Sequence, residues 1–132
     1  MRPHLALLLV VSPFFGFLTT AVGQEPNPLE RVETWPDGSV KVRYFVDADG
    51  KRHGNHEEWT REGTRTSFTA YSHGLRHGAH REWTEGGAKV CALNYQADQL
   101  HGLCETFHPN GRVASTGAYR EGLRTGKWLE MV

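Results

Sequence analysis

Residues 75–102 read Leu75-Arg-His-Gly78-Ala-His-Arg-Glu-Trp83-Thr-Glu-Gly-Gly87-Ala-Lys-Val-Cys91-Ala-Leu-Asn-Tyr95-Gln-Ala-Asp-Gln-Leu100-His-Gly102. The stretch spans the interval between two His-Gly pairs, and that interval recurs along the chain. Gly54, Gly78, Gly102 and Gly126 are spaced by 24 residues; His53, His77 and His101 precede the first three and Thr125 the last. Five residues after each glycine comes a large apolar residue: Trp59, Trp83, Phe107 and Met131. Nine after comes a second glycine, Gly63, Gly87 or Gly111, and seventeen after comes Tyr71, Tyr95 or Tyr119. Several residue types recurring in one phase mark tandem structural units.

Each unit holds two strand-length segments rich in Thr, Val and aromatic residues, such as Ala79 to Thr84 and Ala88 to Tyr95. Between them lies a glycine turn: Gly63, Gly87 or Asn110-Gly111. Glycine there supplies the positive φ of a tight hairpin. No apolar stripe of helical period is long enough for a helix after the N-terminal region. The expected fold is all-β, an antiparallel meander of tandem 24-residue hairpins. Its units are 54–77, 78–101 and 102–125, with a half unit over 126–132 and a distorted unit over 30–53. In the distorted unit Trp35 lies 24 residues before Trp59, but Asp37-Gly38 is one residue out of phase. Gly54, Gly78, Gly102 and Gly126 are expected to end the longer turns that lead into each unit.

Single hairpins cannot bury large rings, whereas stacked hairpins can. Trp35, Trp59, Trp83, Phe107, Tyr71, Tyr95 and Tyr119 are therefore expected to form the core, with a ligand groove of stacked rings as the less favoured alternative. Strand alternation places the residue two after each repeat glycine on the opposite face from the one five after it, unless a bulge intervenes.

The pattern Gly-x-x-x-x-aromatic, then x-x-x-Gly, then Tyr and a closing His-Gly resembles the MORN repeat family, in the bacterial tandem variant that carries an antitoxin-like label. Gly74-Leu-Arg-His-Gly78, Arg81-Glu-Trp83, Pro109-Asn-Gly111, Tyr119-Arg-Glu-Gly122 and Arg124-Thr-Gly-Lys-Trp128 carry the resemblance, over about residues 50–132. It implies protein contacts, self-association or lipid contact. His56, His80 and Cys104 stand where Trp128 matches the family's usual tryptophan. Ala97-Asp98-Gln99 replaces the glycine turn seen at Gly74 and Gly122.

Residues 1–23 read as a secretory signal: Arg2, an apolar run from Leu5 to Leu18, then Ala21-Val22-Gly23 as a small-residue cleavage site. Residues 24–29 read as a linker. The expected destination is secreted or periplasmic, the alternative an uncleaved N-terminal anchor. The chain carries 15 basic and 15 acidic residues. That balance argues against nucleic-acid binding, which needs a basic face, and gives membrane contact no polybasic support.

Cys91 and Cys104 are the two cysteines. A turn centred on Ala97-Asp98 would set them opposite each other on neighbouring strands, so a disulfide is expected unless the register shifts by two residues. His53-x-x-His56 and His77-x-x-His80, near Glu58 and Glu82, have metal-ligand composition. The repeat explains their spacing without a metal, and no metal or cofactor is expected. Glu58 and Glu82 read as solvated strand positions rather than catalytic carboxylates. The sequence thus points to a non-catalytic exported module that binds or scaffolds a protein at the cell envelope. Self-association through its edge strands is open to it. An antitoxin or immunity protein and a metal-binding envelope protein are the alternatives.

Overall fold

Turn chemistry builds the sheet. The computed structural model describes residues 26–132; the signal expected over 1–23 and the first two linker residues lie outside them. The strands are β1 (Leu29–Thr34), β2 (Val40–Val46), β3 (Gly54–Trp59), β4 (Arg65–Ser72), β5 (Leu75–Trp83), β6 (Lys89–Gln96), β7 (Gln99–Leu100), β8 (Gly102–Phe107), β9 (Val113–Arg120) and β10 (Leu123–Glu130). Leu29, assigned above to the linker, opens β1. Every pairing is antiparallel, and the order follows the chain from β1 to β10, with short β7 beside β6. The result is one open sheet, the all-β meander expected. Among the described residues no helix is long and apolar enough to cross a membrane.

At one end of the sheet, the turns Trp35–Ser39, Thr60–Thr64, Thr84–Ala88 and His108–Arg112 share one hydrogen-bond pattern. The first N–H donates to the fifth carbonyl and the fourth N–H donates to the first. Gly38, Gly63, Gly87 and Gly111 fill the fourth place at φ 89°, 90°, 86° and 84°, as a type I turn closed by a left-handed glycine requires. Trp35 occupies the place of Thr60 and Thr84, not that of Trp59. This one-residue difference is the phase slip seen at Asp37-Gly38.

The opposite end carries the Asp47–Lys51 turn, which has the same hydrogen-bond pattern, and three two-residue turns, His73-Gly74, Ala97-Asp98 and Glu121-Gly122, with positive φ at both of their residues. Ala97 (φ 47°) and Asp98 (φ 70°) do this without glycine. Arg76 holds them there: its Nε donates to Asp98 Oδ1 at 2.7 Å and its backbone N–H donates to the same atom at 3.1 Å. A left-handed conformation costs an L-residue roughly 1–2 kcal/mol, partly offset in glycine by backbone entropy. Ala97→Gly should therefore raise the unfolding free energy by up to about 1 kcal/mol in urea melts. Asp98→Gly should gain less, because it loses the Arg76 contacts.

Gly54, Gly78, Gly102 and Gly126 are not at turn tips. Gly54 and Gly102 open β3 and β8, while Gly78 and Gly126 lie inside β5 and β10, so the unit boundaries at 77/78 and 125/126 fall within strands. All four have positive φ, 106°, 110°, 93° and 66°, and each marks a change of register. Tyr71 pairs with Arg76 but Thr69 with His80; Ala118 pairs with Thr125 but Thr116 with Leu129. Two extra residues on the glycine-bearing strand make a bulge.

The same bulge removes the expected disulfide. Tyr95–Leu100 and Gln96–Gln99 keep the register that would face Cys91 to Cys104, but beyond His101-Gly102 Cys91 faces Thr106. Both cysteines are free. Diagonal partners across a ladder lie about 7–8 Å apart, beyond the ~4.4–6.8 Å Cα separation that a disulfide spans.

The core also differs from expectation. Trp35, Trp59, Trp83, Phe107, Tyr71, Tyr95 and Tyr119 are all half-buried rather than enclosed. The buried residues are His56, Glu57, Thr69 and Cys104. No second layer among the described residues covers the sheet, so each ring is shielded only by the sheet and by neighbouring side chains. The smaller residues lying between the rings are the ones that lose contact with water.

Candidate functional site

Strand alternation gives the sheet two different faces. Trp59, Trp83 and Phe107 are the last residues of β3, β5 and β8 and share one of them. A cation from the preceding strand lies over each ring: Arg43 at 5.2 Å from Trp59, Arg65 at 4.8 Å from Trp83 and Lys89 at 5.6 Å from Phe107. Lys41 lies 4.8 Å over Trp35 at the end of this row, and Trp35 Nε1 donates to the Trp59 carbonyl. Buried Glu57 accepts from Arg43 Nη2 and Arg65 Nη1, both at 3.0 Å. Burial opposes its ionisation, but the Arg43 and Arg65 hydrogen bonds outweigh it, and its pKa falls below the ordinary 4.5.

An open groove of about 550 Å3 runs across this face, lined by Arg65, Phe68, Arg81, Trp83, Lys89, Glu105 and Phe107 among others. Two of its cations are already engaged. Arg65 is held by Glu57, and Arg81 Nη1 donates to the carbonyls of His80 and Leu93 at 2.7 and 2.6 Å. Lys89 forms no salt bridge with a described residue. The groove therefore offers apolar rings and two charges outside any salt bridge among the described residues, Lys89, which lies over Phe107, and Glu105.

On the other face His56, His80, Cys104 and Trp128 form a row at intervals of 24 residues. Tyrosine rings flank it: Tyr44 and Tyr71 at 5.8 and 6.1 Å from His56, Tyr95 at 5.9 Å from His80 and Tyr119 at 5.1 Å from Trp128. Arg52 lies over Tyr44 and Tyr71, Arg76 over Tyr95 and Arg124 over Trp128. Gly117 makes room for the indole, since a Cβ there would fall 2.3 Å from Trp128 Cδ2. His56 and Trp59 thus lie on opposite faces, as alternation requires. His56 and Cys104 in this row are buried; Cys104 also reads from the chain as a small apolar core residue, but the histidines do not. The signal was their shared phase with Trp128.

The two histidines of each His-x-x-His do not converge on a ligand. The first, like His101 one unit on, docks the turn of the next hairpin: His53, His77 and His101 accept through Nδ1 from the backbone N–H of His73, Ala97 and Glu121, at 3.2, 3.3 and 3.4 Å. The second pairs along its own strand, His56 Nε2 with Glu58 Oε1 at 2.8 Å and His80 Nε2 with Glu82 Oε1 at 3.0 Å. Glu58 and Glu82 are exposed, as expected, and β4 separates them. Cys91 stands opposite Glu82 across β5 and β6, where Ser67 stands opposite Glu58 across β3 and β4. Burial, reinforced by the Glu82 charge, pushes the Cys91 thiol up to about 11. Burial also raises the Cys104 thiol, so neither cysteine has the depressed pKa of a reactive nucleophile.

Two sets of ligand-type atoms each lie within 4.8 Å of one another: His80, Glu82 and Cys91, and Asp47, His53 and His73. No protein-family model, curated protein or solved structure matches the chain.

Proposed function

We propose that the chain is an exported, non-catalytic repeat module that binds or scaffolds a partner protein at the cell envelope. The groove on the tryptophan face is the observation that carries this reading. It combines half-exposed Trp83, Phe68 and Phe107 with the uncommitted Lys89, and partially exposed aromatic and cationic side chains are what protein interfaces enrich. Its chemistry suits a segment carrying apolar side chains, with Lys89 and Glu105 each offering a charge to pair with. The free edges are the weaker candidate, because β1 bears Glu30, Arg31 and Glu33 among its six exposed residues, and edge charges discourage strand addition. The resemblance to MORN repeats and the secretory character of residues 1–23 support the same reading.

The test is capture from envelope extract with the wild-type chain, Trp83→Ala and Lys89→Glu. A partner retained by the wild type and lost by both variants is the expected result. Trp83 is half-buried, so Trp83→Ala should cost only about 1–2 kcal/mol of stability, below the ~3–5 kcal/mol of an enclosed ring, and the variant should remain folded at 25 °C. Equal capture by all three proteins would move the contact off this face.

A further inference from the structure

We propose that His80, Glu82 and Cys91 form a binding site for one divalent cation of the zinc class. The three side chains come from β5 and β6 and project from the tyrosine face. Their ligand atoms lie within 4.8 Å of one another, and His80 Nε2 is 3.0 Å from Glu82 Oε1. A tetrahedral zinc ion with ordinary bond lengths holds nitrogen, oxygen and sulfur ligands about 3.4–3.6 Å apart, so small side-chain rotations close the set. One imidazole, one carboxylate and one thiolate match a borderline-soft metal better than calcium or magnesium, which take oxygen ligands. Three protein ligands leave a fourth position for water.

A second feature singles out this cluster. Thr69, itself buried, places Oγ1 2.8 Å from His80 Nδ1. A hydrogen-bonded second ring nitrogen fixes the orientation of a metal-binding imidazole. His56 has no such support: its Nδ1 is buried without a hydrogen-bond partner. The neighbouring position also lacks the thiol, with Ser67 in place of Cys91. The Asp47, His53 and His73 set is less suited. Asp47 Oδ1 already accepts from the Asp49 and Lys51 N–H groups, Oδ2 pairs with His73, and His53 Nδ1 accepts from the His73 N–H. Binding at the proposed site exchanges the Cys91 thiol proton for the metal, with no change of oxidation state. It requires that Cys91 be free, as the register makes it.

The test is titration of the full-length, thiol-reduced chain with Co(II), which reports a thiolate ligand by a charge-transfer absorption. The expected result is a band that saturates at one Co(II) per chain and is displaced by Zn(II). Cys91→Ser should abolish the band and weaken Zn(II) binding at least about 100-fold, more than is typically lost when a residue that only hydrogen-bonds a metal ligand is removed. Serine already occupies the equivalent place at Ser67, so this variant keeps the fold, and Glu82→Gln should weaken binding in the same direction. Cys104→Ser and His53→Ala should bind as the wild type does. Absence of the band would overturn the site, as would its survival in Cys91→Ser, its loss in Cys104→Ser, or saturation at one Co(II) per two chains.

Discussion

Gly78→Ala is expected to lose about 3 kcal/mol of stability. Gly78 sits at φ 110° inside β5, a backbone conformation that L-residues rarely adopt. Strain of that kind costs of order 1–3 kcal/mol. The added Cβ would also fall 3.2 Å from Ala70 Cβ on the adjoining strand, and both atoms are tied to paired backbone that cannot move aside. Two other glycines separate these contributions. At Gly102 φ is 93° and the new Cβ meets Asn94 Cβ at an ordinary 3.8 Å; at Gly111 φ is 84° with nothing within 4 Å. Urea melts should rank Gly78→Ala below Gly102→Ala, with Gly111→Ala the mildest because its exposed turn can relax. Equal losses at all three would show that the bulge adds no constraint beyond the sign of φ.

The second large effect is expected at Glu57. Glu57→Ala should cost about 2 kcal/mol near neutral pH. The carboxylate is 8% exposed and holds two guanidinium groups. Removing one partner of a fully buried pair costs about 3–5 kcal/mol, but the Arg43 and Arg65 side chains are 41% and 45% exposed, and solvent screens what they lose. The sign with pH follows from the lowered pKa. The folded value lies below 4.5, so the stabilisation is complete above the unfolded glutamate value and disappears as pH falls through the folded one. Glu57→Gln keeps the shape without the charge. The gap in urea midpoint between wild type and Glu57→Gln should therefore be full near about pH 7 and close on acidification below about pH 4. An unchanged gap would assign Glu57 a packing role only.

Much of the sheet was legible in the chain. Gly63, Gly87 and Gly111 were read as hairpin turns and stand there with the positive φ that reading requires. The segment Ala88 to Tyr95 lies within one residue of β6, whereas β5 begins at Leu75 rather than Ala79 because it runs through His77-Gly78. The opposite faces of His56 and Trp59 follow from alternation because the extra residue of the bulge beside Trp59, Thr66, lies on β4 and leaves β3 regular. Less legible were the glycines at 54, 78, 102 and 126. A recurrent glycine announces positive φ, but a turn tip and a strand bulge both demand it, and only strand pairing tells them apart.

From that ambiguity came the error at Cys91 and Cys104. The turn at Ala97-Asp98 was placed where the structure has it, yet two extra residues at His101-Gly102 displace the ladder beyond it. The same displacement leaves Cys91 beside Glu82, where it meets His80. No spacing in the chain joins residues 80, 82 and 91, because their proximity is a property of two strands in one register.

The sequence by itself determined the period, the sign of φ at each recurring glycine and hence the all-β meander, because these are local requirements of backbone sterics and alternation. Tertiary structure alone decided the register and what is buried. In a single-layer sheet, burial depends on which neighbours lean over a position, so large Tyr71 and Tyr95 remain half in water while His56, Glu57, Thr69 and Cys104 are the most shielded of the described residues.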